Sequence, residues 1–201
     1  MRSFKEFEKD CLKCKKCKLA KTRTQVVIGQ GPVPCDLMLI GEGPGEEEDR
    51  QGIPFVGRSG QLLTKILSSV GINRPHGVYI GNIVKCRPPK NRNPESDEVE
   101  ACKVWLKEQI ELVNPKILVM VGAVAMKTLL GTENAISKAR GTWTKYANRD
   151  TTIIFHPSYL LRYQSNEKGK PKWLTWQDMQ AVKNALDFHK KSKTTEAVTH
   201  A

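Results

Sequence analysis

The chain has 201 residues, 39% hydrophobic and 27% charged, and 33 Lys and Arg against 21 Asp and Glu give a formal net charge of +12. That balance fits one globular domain over residues 1–201 and excludes a disordered chain, while the lack of any apolar run near the roughly 20 residues that span a bilayer excludes a membrane-embedded one. The positive excess points to a polyanionic partner, nucleic acid first, although a lysine-rich surface on a heat-adapted protein carries the same signature.

The N-terminus, Met1-Arg2-Ser3-Phe4-Lys5-Glu6, has no apolar signal core, so a cytoplasmic location and no membrane contact are expected. The first strong apolar run, 37–40, ends in Gly41-Glu42-Gly43-Pro44-Gly45. A helical stripe over 61–70 uses Leu62, Leu63, Ile66, Leu67 and Val70 and closes at Gly71. The run 78–80 leads into Gly81-Asn82. Helical spacing returns over 96–113 through Val99, Cys102, Leu106 and Ile110 and stops before Pro115. The run 117–121 precedes Gly122-Ala123 and a short helix over 124–130. The run 152–155 precedes His156-Pro157-Ser158. An amphipathic helix over 173–188 leaves a polar tail, 190–201, expected to fray.

The four apolar runs are near-continuous, the mark of strands buried on both faces. Their alternation with helices predicts an α/β fold, a three-layer α/β/α sandwich around a central, mainly parallel four-stranded sheet. In such sheets functional loops gather at the C-terminal ends of the strands. Three of the four loops there carry chemically able residues.

The six cysteines need an explanation other than disulfides in a reducing compartment. Cys11, Cys14 and Cys17 form two overlapping CxxC spacings, and Cys86 and Cys102 form a distant pair. Two N-terminal cysteines and this pair can close a four-thiolate site, for which zinc and an iron–sulfur cluster are both suited. Cys35 and Cys11 also read as small buried apolar residues. Lys13, Lys15, Lys16, Lys18, Lys21 and Arg23 crowd this region, as charge compensation or as phosphate contacts.

The glycine-rich loop fails the dinucleotide fingerprint, because Glu46 stands where a third glycine is needed and Glu47, Glu48 and Asp49 would repel a pyrophosphate. No Lys-Ser/Thr follows, so it is not a phosphate-binding P-loop. Phe55, among turn residues, either stacks on a flat base or plugs the loop onto the core.

Taken together, 41–49, Gly52-Ile53-Pro54-Phe55-Val56-Gly57, Asn82-Ile83-Val84-Lys85-Cys86-Arg87-Pro88 and His156-Pro157-Ser158-Tyr159-Leu160-Leu161-Arg162 closely resemble the family 4 uracil-DNA glycosylases, iron–sulfur enzymes of thermophilic archaea and bacteria. The match runs from about Cys14 to Arg162 with every motif in order. The resemblance implies that Cys14, Cys17, Cys86 and Cys102 ligate a [4Fe–4S] cluster, with zinc as the alternative. It also implies that Glu42, Gly43 and Pro44 line a uracil pocket, that Phe55 stacks on the base and that Asn82 hydrogen-bonds its polar edge. His156 would face O2 of the leaving base, and Leu160 would be the wedge that fills the gap left by a flipped nucleotide. Better-known uracil glycosylases carry a water-positioning aspartate where this chain has Gly43, so the group that positions water is open.

The implied chemistry suits these residue types. Breaking an N-glycosidic bond leaves a cationic sugar and an anionic base, so a donor for the base and negative charge near the sugar suffice. His156 fits the first role, unless it only caps the backbone at the strand end. Glu42, Glu48 or DNA phosphates fit the second, and Glu48 could instead exclude a thymine methyl group. The Asn82 amide pairs with O4 and N3–H of uracil, where cytosine presents the opposite pattern. Ser158 and Arg162 are candidate phosphate contacts.

Uracil-containing DNA, single- or double-stranded, is the expected partner of an expected monomer. A sliding clamp is a further candidate partner, although the tail shows no clear motif for one. Two rival readings are a non-catalytic nucleic-acid-binding module and a covalent uracil trap. The first has no use for Glu42, Phe55, Asn82 and His156 together, and the second needs a basic insertion that is missing between Gly131 and Thr151.

Overall fold

In a computed structural model, which describes residues 2–199, five strands form one sheet in the order β2-β1-β3-β5-β4. The strands are β1 (Leu37–Gly41), β2 (Tyr79–Asn82), β3 (Ile117–Val121), β4 (Trp143–Tyr146) and β5 (Arg149–Ile154). β2, β1, β3 and β5 run parallel, and β4 pairs antiparallel with β5. The helices, in chain order, are α1 (Phe4–Leu12), α2 (Glu46–Gln51), α3 (Arg58–Ser69), α4 (Arg74–Gly77), α5 (Ser96–Val113), α6 (Ala123–Leu130), α7 (Ile136–Ala139), α8 (Pro157–Leu160) and α9 (Pro171–Thr199).

Every residue of β1, β2 and β3 is buried, as continuous apolar runs require when helices cover both faces. Leu37 and Leu39 pack with Leu63, Leu67, Met179 and Val182 on one side; Met38 and Ile40 pack with Phe7, Leu106, Ile110 and Met126 on the other. Each side chain so buried contributes roughly 1.5–3 kcal/mol. The layers are therefore α3/α9, sheet, and α1/α5/α6.

The fifth strand departs from the four-stranded expectation. β4 is short, and Trp143, Thr144 and Lys145 are exposed, so this edge strand lacks the apolar run that marks the other four. α1 was also absent from the expected elements, although Ser3 and Glu6 form a reciprocal N-terminal cap, with Ser3 N–H donating to Glu6 Oε2 at 2.7 Å. α9 runs on to Thr199, beyond the expected end near 188. His200 and Ala201 of the expected frayed tail lie outside the described residues.

The parallel strands place their C-terminal ends on one edge. Register pairs Gly41 with Asn82 and Val121 with Ile154. The loops after β1, β2 and β5, with their candidate residues, thus open on the same side.

Candidate functional site

On that edge lies a cleft of about 450 Å³, lined by Glu42, Gly43, Pro44, Phe55, Asn82 and His156 among others. The structure brings all six pocket residues of the sequence reading together. Glu48, Ser158 and Arg162 also reach its wall.

Two backbone bonds sew the first two loops side by side: Ile83 N–H donates to Gly41 O at 2.9 Å and Val84 N–H to Glu42 O at 3.2 Å. Asn82 is thereby buried at the end of β2. Its Oδ1 is a buried acceptor without a hydrogen-bond partner. Such an orphan costs free energy unless a ligand satisfies it. Gly41 makes the space: a Cβ there would stand 2.5 Å from Asn82 Oδ1 and 2.6 Å from the Phe55 ring.

Phe55 serves both of its expected alternatives. It is buried among Leu63 and Ile80 in the core, yet it also lines the cleft, its ring 5.8 Å from that of His156.

His156 sits at the N-terminus of α8, where its Nδ1 accepts from Ser158 N–H at 3.2 Å and lies 2.8 Å from Ser158 Oγ. Accepting at Nδ1 puts the ring proton on Nε2. The capping role and the donor role are therefore compatible, one nitrogen for each. Burial pushes the imidazole down to about 4, so the ring is neutral near pH 7. Burial also pushes the Glu42 carboxyl up from its ordinary value.

The surroundings of Glu48, Leu160 and Ser158 bear on their expected roles. Glu48 is buried, and its oxygens accept from Gly45 N–H at 3.1 Å, Val56 N–H at 2.8 Å and Gly57 N–H at 2.9 Å. Through these three bonds Glu48 pins the pocket loops from the cleft wall. Leu160 is fully buried, because the turn of α8 faces it inward, so it is not placed as a wedge. Its neighbour Leu161 is exposed. Of the two candidate phosphate contacts, Ser158 bonds His156 through its hydroxyl, and Arg162 is exposed on the rim.

The cleft also gathers Pro88, the end of the Asn82 motif, and Ser59, Asn91, Arg92 and Asn93, none of which the sequence singled out. Lys90 and Asn91 take left-handed backbone angles that turn this segment into the wall. Buried Glu98 on α5 holds Arg92 through two bonds of 2.8 and 2.7 Å.

A second, smaller cavity is lined by Cys14, Cys17, Cys86 and Cys102, the four candidate ligands, and by Cys11. Two donors aim at its sulfurs: Trp105 Nε1 at Cys14 Sγ, 3.1 Å, and an Arg23 guanidinium nitrogen at Cys86 Sγ, 3.2 Å. Burial pushes the Cys86 thiol up to about 11 and raises Cys102 as well, a bias toward the protonated form that a bound cationic metal would reverse. Among the described residues no three His, Cys, Asp or Glu side chains converge on a single-ion site. Cys35 lies elsewhere in the core, its N–H bonded to Val113 O at 2.9 Å.

The two sites are joined by Lys85. It is buried between Asn82 and Cys86 and donates to Asn82 O at 2.6 Å and to Gln109 Oε1 at 2.5 Å. Lys16 lines the cavity and is exposed, as are Lys13, Lys15 and Lys21 outside it, whereas Lys18 is paired with Glu95 and Asp97. Among the described residues no helix is long and apolar enough to cross a membrane.

Comparison with known proteins fits this geometry. Residues 28–180 match the uracil DNA glycosylase superfamily. The chain is 48% identical over 157 residues to a type-4 uracil-DNA glycosylase of Thermotoga maritima, covering 77% of this chain and 81% of that protein. It is 42% identical over 164 residues to one of Sulfurisphaera tokodaii, covering 79% and 74%. A type-5 uracil-DNA glycosylase of Pyrobaculum aerophilum is 34% identical over 146 residues, covering 65% and 64%.

Proposed function

The chain belongs to the uracil DNA glycosylase superfamily, and on that premise we propose that it hydrolyses the bond between deoxyribose and uracil in DNA, releasing uracil and leaving an abasic site for base excision repair. It is a uracil-DNA glycosylase, a monofunctional hydrolase. The observation that carries the residue assignment is the buried, unpartnered Oδ1 of Asn82 beside the Phe55 ring.

The steps follow from the cleft. Uracil leaves the base stack to reach it, since the glycosidic bond of a stacked base is out of reach. Phe55 stacks on the flipped ring. Asn82 Oδ1 accepts from N3–H while its NH2 donates to O4; cytosine, with an acceptor at N3 and a donor at C4, leaves both unpaired. As the bond breaks, negative charge grows on O2, where the Nε2–H of neutral His156 donates to it. With Glu48 committed to backbone amides, Glu42 is the cleft carboxylate left for the sugar side. Its raised basicity suits it to face the attacking water in place of the aspartate that Gly43 replaces. Arg162 and the exposed lysines beside the cysteine cavity hold the DNA backbone.

The cysteine cavity fits a resident metal centre. The four candidate thiols line it, and charged and neutral N–H donors face two of the sulfurs. We read the centre as a [4Fe–4S] cluster on Cys14, Cys17, Cys86 and Cys102, as the family resemblance implies, with one zinc ion as the alternative. Such a centre supplies no chemistry to the glycosidic bond. When bound it would tie the N-terminal segment, the 82–86 loop and α5 together through these cysteines. Anaerobically purified protein should be coloured and carry iron and sulfide in near-equal amounts. A colourless preparation with stoichiometric zinc would contradict the cluster. Chelation should lower the melting temperature and increase hydrogen exchange over residues 79–86.

The direct test of function is release of free uracil from an oligonucleotide with one deoxyuridine, leaving an alkali-labile strand. Binding without release would favour a non-catalytic nucleic-acid module.

A further inference from the structure

Phe55 is held in a backbone conformation that bulky residues rarely adopt. Its φ is +52°, in the left-handed region, and a strained residue of this kind persists only where its surroundings over-determine it. The surroundings here are charged and specific. On the carbonyl side, the guanidinium of Arg74 donates to Phe55 O at 2.6 Å and, through its other terminal nitrogen, to Pro54 O. A further bond to Thr64 Oγ1, 2.9 Å long, anchors the guanidinium to α3. On the amide side, Glu48 accepts from Val56 and Gly57. α3 closes the remaining side so tightly that a Cβ on Gly60 would stand 1.9 Å from Phe55 O. The turn is gripped between a cation that takes its carbonyls and an anion that takes its amides.

Arg74 does not line the cleft and touches no reacting atom. It stands at the start of α4, between Asn73 and Pro75, on the connection from α3 to β2. Its guanidinium hydrogen bonds go to two backbone carbonyls and a hydroxyl, and both carbonyls belong to the turn that presents Phe55.

We propose that Arg74 is the positioning residue that sets the Phe55 ring as the platform for the flipped base. This rests on reading Phe55 as the stacking ring. Without Arg74 the Pro54 and Phe55 carbonyls lose their donors, the left-handed angle loses its main restraint, and the ring tilts out of register with Asn82 and His156.

Arg74→Met, which keeps much of the side-chain length and removes every donor, tests this. Single-turnover excision is expected to slow about 10- to 100-fold, the range for a mispositioned pocket, with affinity for uracil-containing DNA changed less than about twofold. Inhibition by free uracil should weaken in parallel, and the Phe55 Cα chemical shift should leave its left-handed value. Arg74→Lys, with one charged donor group, should recover part of each loss. Parental excision and uracil inhibition in Arg74→Met would overturn the proposal, as would an equal loss of excision and DNA affinity. Phe55→Ala separates the underlying reading: parental excision there sinks the stacking role itself, whatever Arg74 variants do. If Arg74→Met does not fold, Thr64→Val removes one guanidinium anchor. The same split is then expected at about threefold, and a parental uracil inhibition constant would overturn the proposal.

Discussion

Asn82→Ala should cut the single-turnover excision rate about 1000-fold while leaving affinity for uracil-containing DNA within about threefold. The size follows from the position of the side chain. Asn82 is almost fully buried and its Oδ1 has no protein partner, so its desolvation is already in place before the base arrives. Pairing with N3–H and O4 is therefore gained in full, and a base presenting the wrong edge strands buried groups on both sides. On the proposed reading DNA affinity comes instead from phosphate contacts on the rim and around the cysteine region, which the substitution does not touch. Equal losses of binding and excision would show that Asn82 only supports the loop, through the carbonyl that Lys85 holds.

His156→Ala should lower excision about 100- to 1000-fold, the usual effect of removing one preorganised donor to a developing oxyanion. Because burial holds the imidazole near 4, the donor is the neutral ring, and the histidine itself should cause no loss of excision from pH 8 down to about 5. An imidazolium donor would give the opposite profile, with activity lost as pH rises through the ordinary histidine range. The same shift sets the sign for stability. The unfolded chain takes up the proton near 6.5 and the folded chain only near 4, so the unfolded state binds more protons between these values. Stability falls as pH drops through that window. Ser158→Ala, which frees the ring to turn, should share the rate loss in smaller measure.

Much of the fold was legible because apolar continuity is a strong signal. The runs that became β1, β3 and β5 are buried from the sheet outward, and α5 was bounded correctly by Pro115 and its own spacing. β4 escaped because an exposed edge strand has no apolar face to announce it. The cleft was legible where motifs sit at strand ends, as with Glu42, Asn82 and His156. It was not legible where a polar segment is folded in by unusual backbone angles, as with Asn91, Arg92 and Asn93. Leu160 shows another limit: a motif position gives the residue but not the facing of a one-turn helix, and α8 turns Leu160 into the core. Glu48 shows a third, since three backbone donors converge on it from loops distant in sequence. Arg74, lone and unpatterned, carries its meaning only in the contacts it makes.

The most direct measurement compares base release from three otherwise identical oligonucleotides carrying uracil, cytosine or thymine at one position, each single-stranded and paired. Free base and an alkali-labile site are expected from the uracil strands alone. Intact DNA in every case with binding retained, or release of cytosine at the rate of uracil, would contradict excision by a pocket that reads the uracil edge through Asn82.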